Sequence, residues 1–232
     1  MMDEAKAREE ICRIGASLYA RGYTVGSAGN ISVRLDDGFL ITPTDACLGF
    51  LHPAKLSLLD AQGQHVSGDK PSKTIALHRR IYDASSAFDP DTRCIIHTHS
   101  TYCVALTLTR SDDATARSTF AQEHELLPPI TPYFVMKVGH VPVIDYHRPG
   151  ATQAAEAVAQ TITRYGERGT PIRAVMLSRL GPNVWHQSPA SAMAVLEELE
   201  ETAKLMQQAK SPIAPLNEKH IQELRETFGA KW

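Results

Sequence analysis

Residues 31–35, Ile-Ser-Val-Arg-Leu, alternate as a half-buried strand does, and Asp36-Asp37-Gly38 turns directly into Phe39-Leu40-Ile41-Thr42. Two strands joined by so short a turn must pair antiparallel, because a parallel partner needs a crossover of a dozen or more residues. The pattern recurs. Residues 56–60 and 65–67 flank Ala61-Gln62-Gly63-Gln64, and residues 173–177 and 183–186 flank a Gly181-Pro182 turn. A chain with this punctuation cannot be a purely parallel, doubly wound fold, and no dinucleotide or P-loop fingerprint contradicts that.

Helical periodicity fills the intervals. Ala7, Ile11, Ile14 and Leu18 share one face of a helix over 3–21, with Gly22 as its stop. Ser72 reads as the cap of a helix carrying Ile75, Leu77, His78, Ile81 and Tyr82. Residues 94–99, Cys-Ile-Ile-His-Thr-His, read as a buried strand, and Ser100 as the cap of a helix to about 109. Further helices are expected over 151–165, from Ser188-Pro189 onward with Ala192, Leu196, Leu199, Ala203 and Met206 in one stripe, and over 217–228. Hairpins mixed with helices give an α/β fold, a mostly antiparallel sheet with helices packed on it. The 232 residues contain no repeat or low-complexity linker, so 1–232 is expected to be a single domain.

Composition narrows the partners. A net charge of -2 gives no footprint for nucleic acid or an acidic membrane. No apolar run reaches the roughly 18 residues of a transmembrane helix, and the charged N-terminus lacks the apolar core of a secretory signal. The expected compartment is the cytoplasm. Cys12, Cys47, Cys94 and Cys103 form no CxxC pair and read mostly as buried thiols in a reducing environment.

Chemistry concentrates in two places. On a strand, His97 and His99 project to the same face, which is half of a site for a divalent transition metal; two histidines bonded in a polar pocket would show the same spacing. Cys94 falls on the opposite face, and Cys103 lies one turn into the next helix. The second place is a set of turns, Ser27-Ala28-Gly29-Asn30, Thr42-Pro43-Thr44-Asp45 and 67–73 (Ser-Gly-Asp-Lys-Pro-Ser-Lys). The last opens a helix whose free N–H groups and positive dipole end favour an anion, with Lys73 adding a cation.

With Arg21 to Asn30, Leu48-Gly49-Phe50-Leu51, His97-Thr98-His99-Ser100-Thr101, Thr131-Pro132-Tyr133-Phe134-Val135-Met136, Tyr146-His147-Arg148-Pro149-Gly150 and residues 197–204, these segments run in fixed order from about 5 to 228. They resemble the class II aldolase/adducin family and look most like its 3-oxo-tetronate 4-phosphate decarboxylase branch. The resemblance implies a three-layer α/β/α fold around a mostly antiparallel sheet. It also implies a homotetramer with active sites between subunits, and a divalent metal, often zinc, held by three histidines beside an acid/base glutamate. Matched residue by residue, it makes His97 and His99 the first two metal ligands. Asn30, Thr44, Ser72 and Lys73 fall where the family binds substrate phosphate, and Tyr133 becomes a proton donor near the subunit junction.

Two positions depart from the family pattern. Thr74 stands where the glutamate follows Ser-Lys, and Leu180 stands where the third histidine is expected. Threonine does not exchange protons near neutral pH as a carboxylate does, and leucine binds no metal. His78, His124, His140, His147 and His186 are the histidines available to rebuild the site, and Arg179 offers a fixed positive charge beside Leu180.

Two functions are therefore expected. One is a metal-dependent carbon–carbon lyase on a small phosphorylated 3-oxo sugar acid. A decarboxylase fits better than an aldolase, because decarboxylation needs no base in its first step. The other is a catalytically impaired member acting as a binding or assembly protein. The retained histidines and turns favour the enzyme.

Overall fold

The computed structural model describes residues 3–108 and 125–232. Eight strands form one sheet in the order β4-β3-β2-β1-β5-β8-β7-β6. They are β1 (Asn30–Arg34), β2 (Gly38–Ile41), β3 (Ser57–Asp60), β4 (His65–Ser67), β5 (Cys94–His97), β6 (Val143–Ile144), β7 (Ala174–Leu177) and β8 (Gly181–His186). All neighbours are antiparallel except β6 and β7. Between those two runs the helix α4 (Thr152–Glu167), the crossover a parallel pair requires.

Strand parity sorts the core. Ile31, Val33, Leu40, Cys94, Ile96, Met176 and Val184 turn to one face. There they meet α1 (Glu4–Ala20), α3 (Thr101–Leu108) and α5 (Pro189–Gln208). Ile95, Val175, Leu177 and Trp185 turn to the other, against α2 (Ile75–Ser85) and α4. The result is the expected α/β/α sandwich. A fully buried Leu or Ile contributes roughly 1.5–3 kcal/mol, and the α1 stripe of Ala7, Ile11, Ile14 and Leu18 is at most 2% exposed. The helix α6 (Glu218–Phe228) follows an Asn217 cap and stops at Gly229, whose φ is 67°. Val135, Ile221, Leu224 and Ala230 hold it to a π-helical turn over Phe134–Val138. Among the described residues no helix is long and apolar enough to cross a membrane.

Several local expectations are corrected. Gly181 and Pro182 are not a turn but the start of β8; Ser178, Arg179 and Leu180 make the turn, with Arg179 at φ 64°. A Cβ on Gly181 would lie 1.9 Å from the Thr98 carbonyl oxygen, so only glycine lets β8 come this close to the end of β5. Helix α2 starts at Ile75 instead of just after Ser72, and its first N–H groups are already used: Ile75 donates to the Ser72 carbonyl (3.1 Å) and Ala76 to that of Lys73 (3.3 Å). Less of this helix end faces an anion than its sequence suggests. Nor does Ser100 cap α3. The carboxylate of Glu200 on α5 accepts the backbone N–H groups of Tyr102 (2.8 Å) and Cys103 (3.0 Å) instead.

Candidate active site

The site begins with a row of residues at one register. Asn30 on β1 lies opposite His97 on β5, and His97 lies opposite Asn183 on β8. Cross-strand partners share a face, and all three point toward α2 and α4. His97 is 5% exposed. Its Nδ1 lies 2.9 Å from the Pro182 carbonyl, which can only accept, so Nδ1 carries the proton and Nε2 keeps its lone pair. Strand β5 ends at His97, and His99 follows it half-buried, with ring centroids 5.1 Å apart and planes at 65°. Burial first, then the neighbouring His99, hold the proton affinity of His97 down at about 4, against the opposing Pro182 hydrogen bond. Burial also lowers that of His99. Both imidazoles are therefore neutral at pH 7, the state that binds a metal.

The turns expected to hold phosphate come together against this row. Asn30 Nδ2 donates to Thr74 Oγ1 (3.3 Å), Ser72 N–H to the Thr42 carbonyl (3.3 Å), and Thr44 N–H to the Lys70 carbonyl (2.9 Å). Thr42 Oγ1 in turn accepts the Ile31 N–H (3.2 Å), which fastens the turn to β1. Lys73 is exposed beside Ser72. A cleft of about 340 Å³ opens beside Thr44, with Lys55, Lys70, His52 and Asp69 in its wall. The turns that carry Asn30, Thr44 and Ser72, distant in sequence, are thus bonded to one another beside His97, and Lys73 follows Ser72 in the chain.

Tyr133 is not brought to this cluster within the chain. It is 59% exposed, and its neighbours Phe134 and Val138 pack in the core on the α1/α3/α5 side, opposite the face of Asn30 and His97. Leu180 is half-buried and packs on the Trp185 side of the core. Cys94 and Cys103 are buried in the other core, away from the histidine face.

Among the described residues, no other histidine joins His97 and His99 in a group of three metal ligands. His78 is buried with Nδ1 2.8 Å from Ser32 Oγ; burial, with His97 adding, holds its proton affinity at about 3. His140 stacks on Trp232 and pairs with Glu125 at 3.2 Å. His186 lies at the other end of β8, opposite Cys94 and 3.0 Å from Arg173. His147 is half-buried beyond β6. His124 lies outside the described residues. Among the described residues no three or more His, Cys, Asp or Glu side chains gather as metal ligands. Among the described residues the donor set fits a divalent metal as a two-histidine site, His97 and His99.

Sequence reasoning missed Asn183 and the Pro182 carbonyl, because it placed a turn across Gly181-Pro182. The available signal was an amide at the strand position whose neighbour on the same face, Trp185, is apolar.

Residues 9–207 match the family model described as the class II aldolase and adducin N-terminal domain. The chain belongs to the class II aldolase/adducin family. It is 52% identical, over the full length of both chains, to the 3-oxo-tetronate 4-phosphate decarboxylase of Cupriavidus necator. It is 42% identical to the protein of that name from Pectobacterium atrosepticum, over 89% of this chain and 86% of the relative. The solved structure of the YgbL protein of Escherichia coli superimposes with a TM-score of 0.79 at 38% identity, covering 96% of this chain and 99% of that one. In this member Asn30 and His97 share one face of the sheet, while Thr74 and Leu180 are the two departures from the pattern that the resemblance leads one to expect.

Proposed function

We propose that this chain is a metal-dependent carbon–carbon lyase, a decarboxylase acting on a small phosphorylated 3-oxo sugar acid. The observation that carries the reading is the bonded cluster of Asn30, Thr44 and Ser72 beside two neutral, paired histidines. Relatives named 3-oxo-tetronate 4-phosphate decarboxylase along the whole chain support the substrate class.

In this reading Asn30, Thr44, Ser72 and Lys73 hold the phosphate, with Lys73 supplying charge and the others hydrogen bonds. His97 and His99 would hold a divalent metal, zinc in our reading, and when bound it would supply Lewis acidity to the reaction. Pro182 keeps the His97 proton on Nδ1 and its lone pair on Nε2. Thr74 cannot take a proton from a hydroxyl, so the site suits loss of carbon dioxide, which needs no such step, over aldol cleavage. The exposed Tyr133 donates a proton from a neighbouring subunit of a homotetramer. Residues 1–232 act as one domain of a cytoplasmic enzyme without nucleic-acid or membrane partners.

A second reading rests on Thr74 and Leu180: a member that keeps the fold and the anion turns as a binding or assembly protein. The deciding experiment is elemental analysis of untagged protein purified without chelator, followed by carbon dioxide release from 3-oxo acid phosphates, with His97→Ala as control. Near-stoichiometric metal, lost in the control, together with release of carbon dioxide establishes the lyase. No metal after reconstitution with zinc, manganese or cobalt leaves the binding protein.

A further inference from the structure

Asn183 is fully buried in the middle of the sheet, at 0% exposure, and neither atom of its amide has a hydrogen-bond partner within the protein. Its setting does not call for an amide. Its neighbour across β7 is Val175, its neighbour two residues along β8 is Trp185, and both belong to the apolar core under α2 and α4. Leucine has nearly the same shape and would fill the position without an unmatched polar group. On its other side stands His97.

The same layer holds further unmatched atoms. Asn30 Oδ1, on the far side of His97, has no partner. Neither has Nε2 of His78, a ring fixed by Ser32 on β1 and close enough to His97 to feel its charge. Trp185 Nε1 is likewise buried and unmatched. The set mixes donors (Asn183 Nδ2, Trp185 Nε1) with acceptors (Asn183 Oδ1, Asn30 Oδ1), and His78 Nε2 can serve as either. Buried polar groups in folded proteins are almost always satisfied. A buried layer offering donors and acceptors on one face of the sheet matches water, which does both and needs two to four such partners.

We infer that Asn183 is a positioning residue for His97. Its amide holds buried water between β5, β8 and α2, shared with Asn30 Oδ1, His78 Nε2 or Trp185 Nε1. That water fills the space beside the His97 ring and limits its rotation, while the Pro182 carbonyl holds the proton on Nδ1 and so leaves Nε2 free. The water is a property of this chain's own polar layer. Only its consequence, a well-oriented metal ligand, rests on the proposed function. Partners that orient a ligand's ring typically change metal affinity or activity 10- to 100-fold, which is what a site reduced to two histidines would depend on most.

The test combines a high-resolution crystal structure of the full chain with the variants Asn183→Leu and Asn183→Thr. The expected result is a water within about 3.2 Å of the Asn183 amide and of at least one of the other three groups. Asn183→Leu should stay folded and melt near the parent temperature, because leucine fills the position and the buried water leaves with the amide it bonded, while cobalt affinity falls at least tenfold. Asn183→Thr, which keeps a donor and an acceptor, should recover part of the affinity. An amide bonded directly to protein groups, or unchanged cobalt affinity in Asn183→Leu, overturns the inference. If the parent chain binds no cobalt, the proposed function fails, and the imidazole nitrogen shifts of His97 decide the inference alone. A single Nδ1–H tautomer that becomes a mixture in Asn183→Leu supports it; identical spectra overturn it.

Discussion

Asn30 Nδ2 donates to Thr74 Oγ1 at 3.3 Å, so the first residue of the phosphate turns is tied to the position where the family pattern has its glutamate. The threonine therefore has a structural task of its own. Thr74→Val keeps the shape and removes the acceptor, so that Nδ2 joins Oδ1 in having no partner within the protein, on a side chain that is 7% exposed. We expect a loss of about 1 kcal/mol in urea denaturation and a higher KM for a phosphorylated substrate with kcat little changed. An unchanged KM would separate Asn30 from phosphate binding.

In the metal site proposed on His97 and His99, a histidine at residue 180 should strengthen metal binding. A structural zinc site gains roughly 10–16 kcal/mol from about four ligands, so one more histidine is worth about 3 kcal/mol, on the order of 100-fold in affinity. Leu180 ends the turn that leads into β8, next to the Gly181 contact with Thr98. In competition titrations with a zinc chelator, Leu180→His is expected to bind about 100-fold more tightly than the parent. Equal affinities would place residue 180 out of reach of the ion.

Glu200 holds the start of α3. It is 4% exposed and accepts two backbone N–H groups at the helix N-terminus, where the dipole also favours its charge. Glu200→Ala orphans both donors and should cost about 2–3 kcal/mol, whereas Glu200→Gln keeps one acceptor and should cost about half as much. Chemical denaturation of both variants checks the order; equal losses would show that shape, not hydrogen bonding, is what matters.

The buried histidines make stability depend on pH. His78 and His97 are held at about 3 and about 4, below the ordinary 6.5. Below pH 6.5 the unfolded chain takes up protons that the folded chain refuses. Stability is thus fully present above about pH 6.5, falls as pH is lowered, and levels off once pH has passed through the folded values. Each histidine contributes a slope of up to about 1.4 kcal/mol per pH unit. In metal-free protein, His78→Asn should remove one proton's worth of that slope between pH 6.5 and 4. A profile as steep as the parent's would mean that other groups carry the effect.

Local sequence was enough for the hairpins, the amphipathic faces of the helices, the start of α5 at Ser188-Pro189, and the nearness of His97 and His99. These follow from turn chemistry and from periods of two and 3.6 residues, which act over a few neighbours. It also showed which polar turns could join and that Thr74 and Leu180 break the family pattern. Only the tertiary structure decided which residues meet across those elements. Asn183 lies beside His97 because β5 and β8 pair in one register, 86 residues apart in the chain. Glu200 displaced Ser100 as the cap of α3 because α5 packs along it. The two-residue β6 is held by its parallel pairing to β7, which its length gives no local reason to form. Local propensity is a weak bias, and long-range register and burial override it wherever a buried polar group must find a partner.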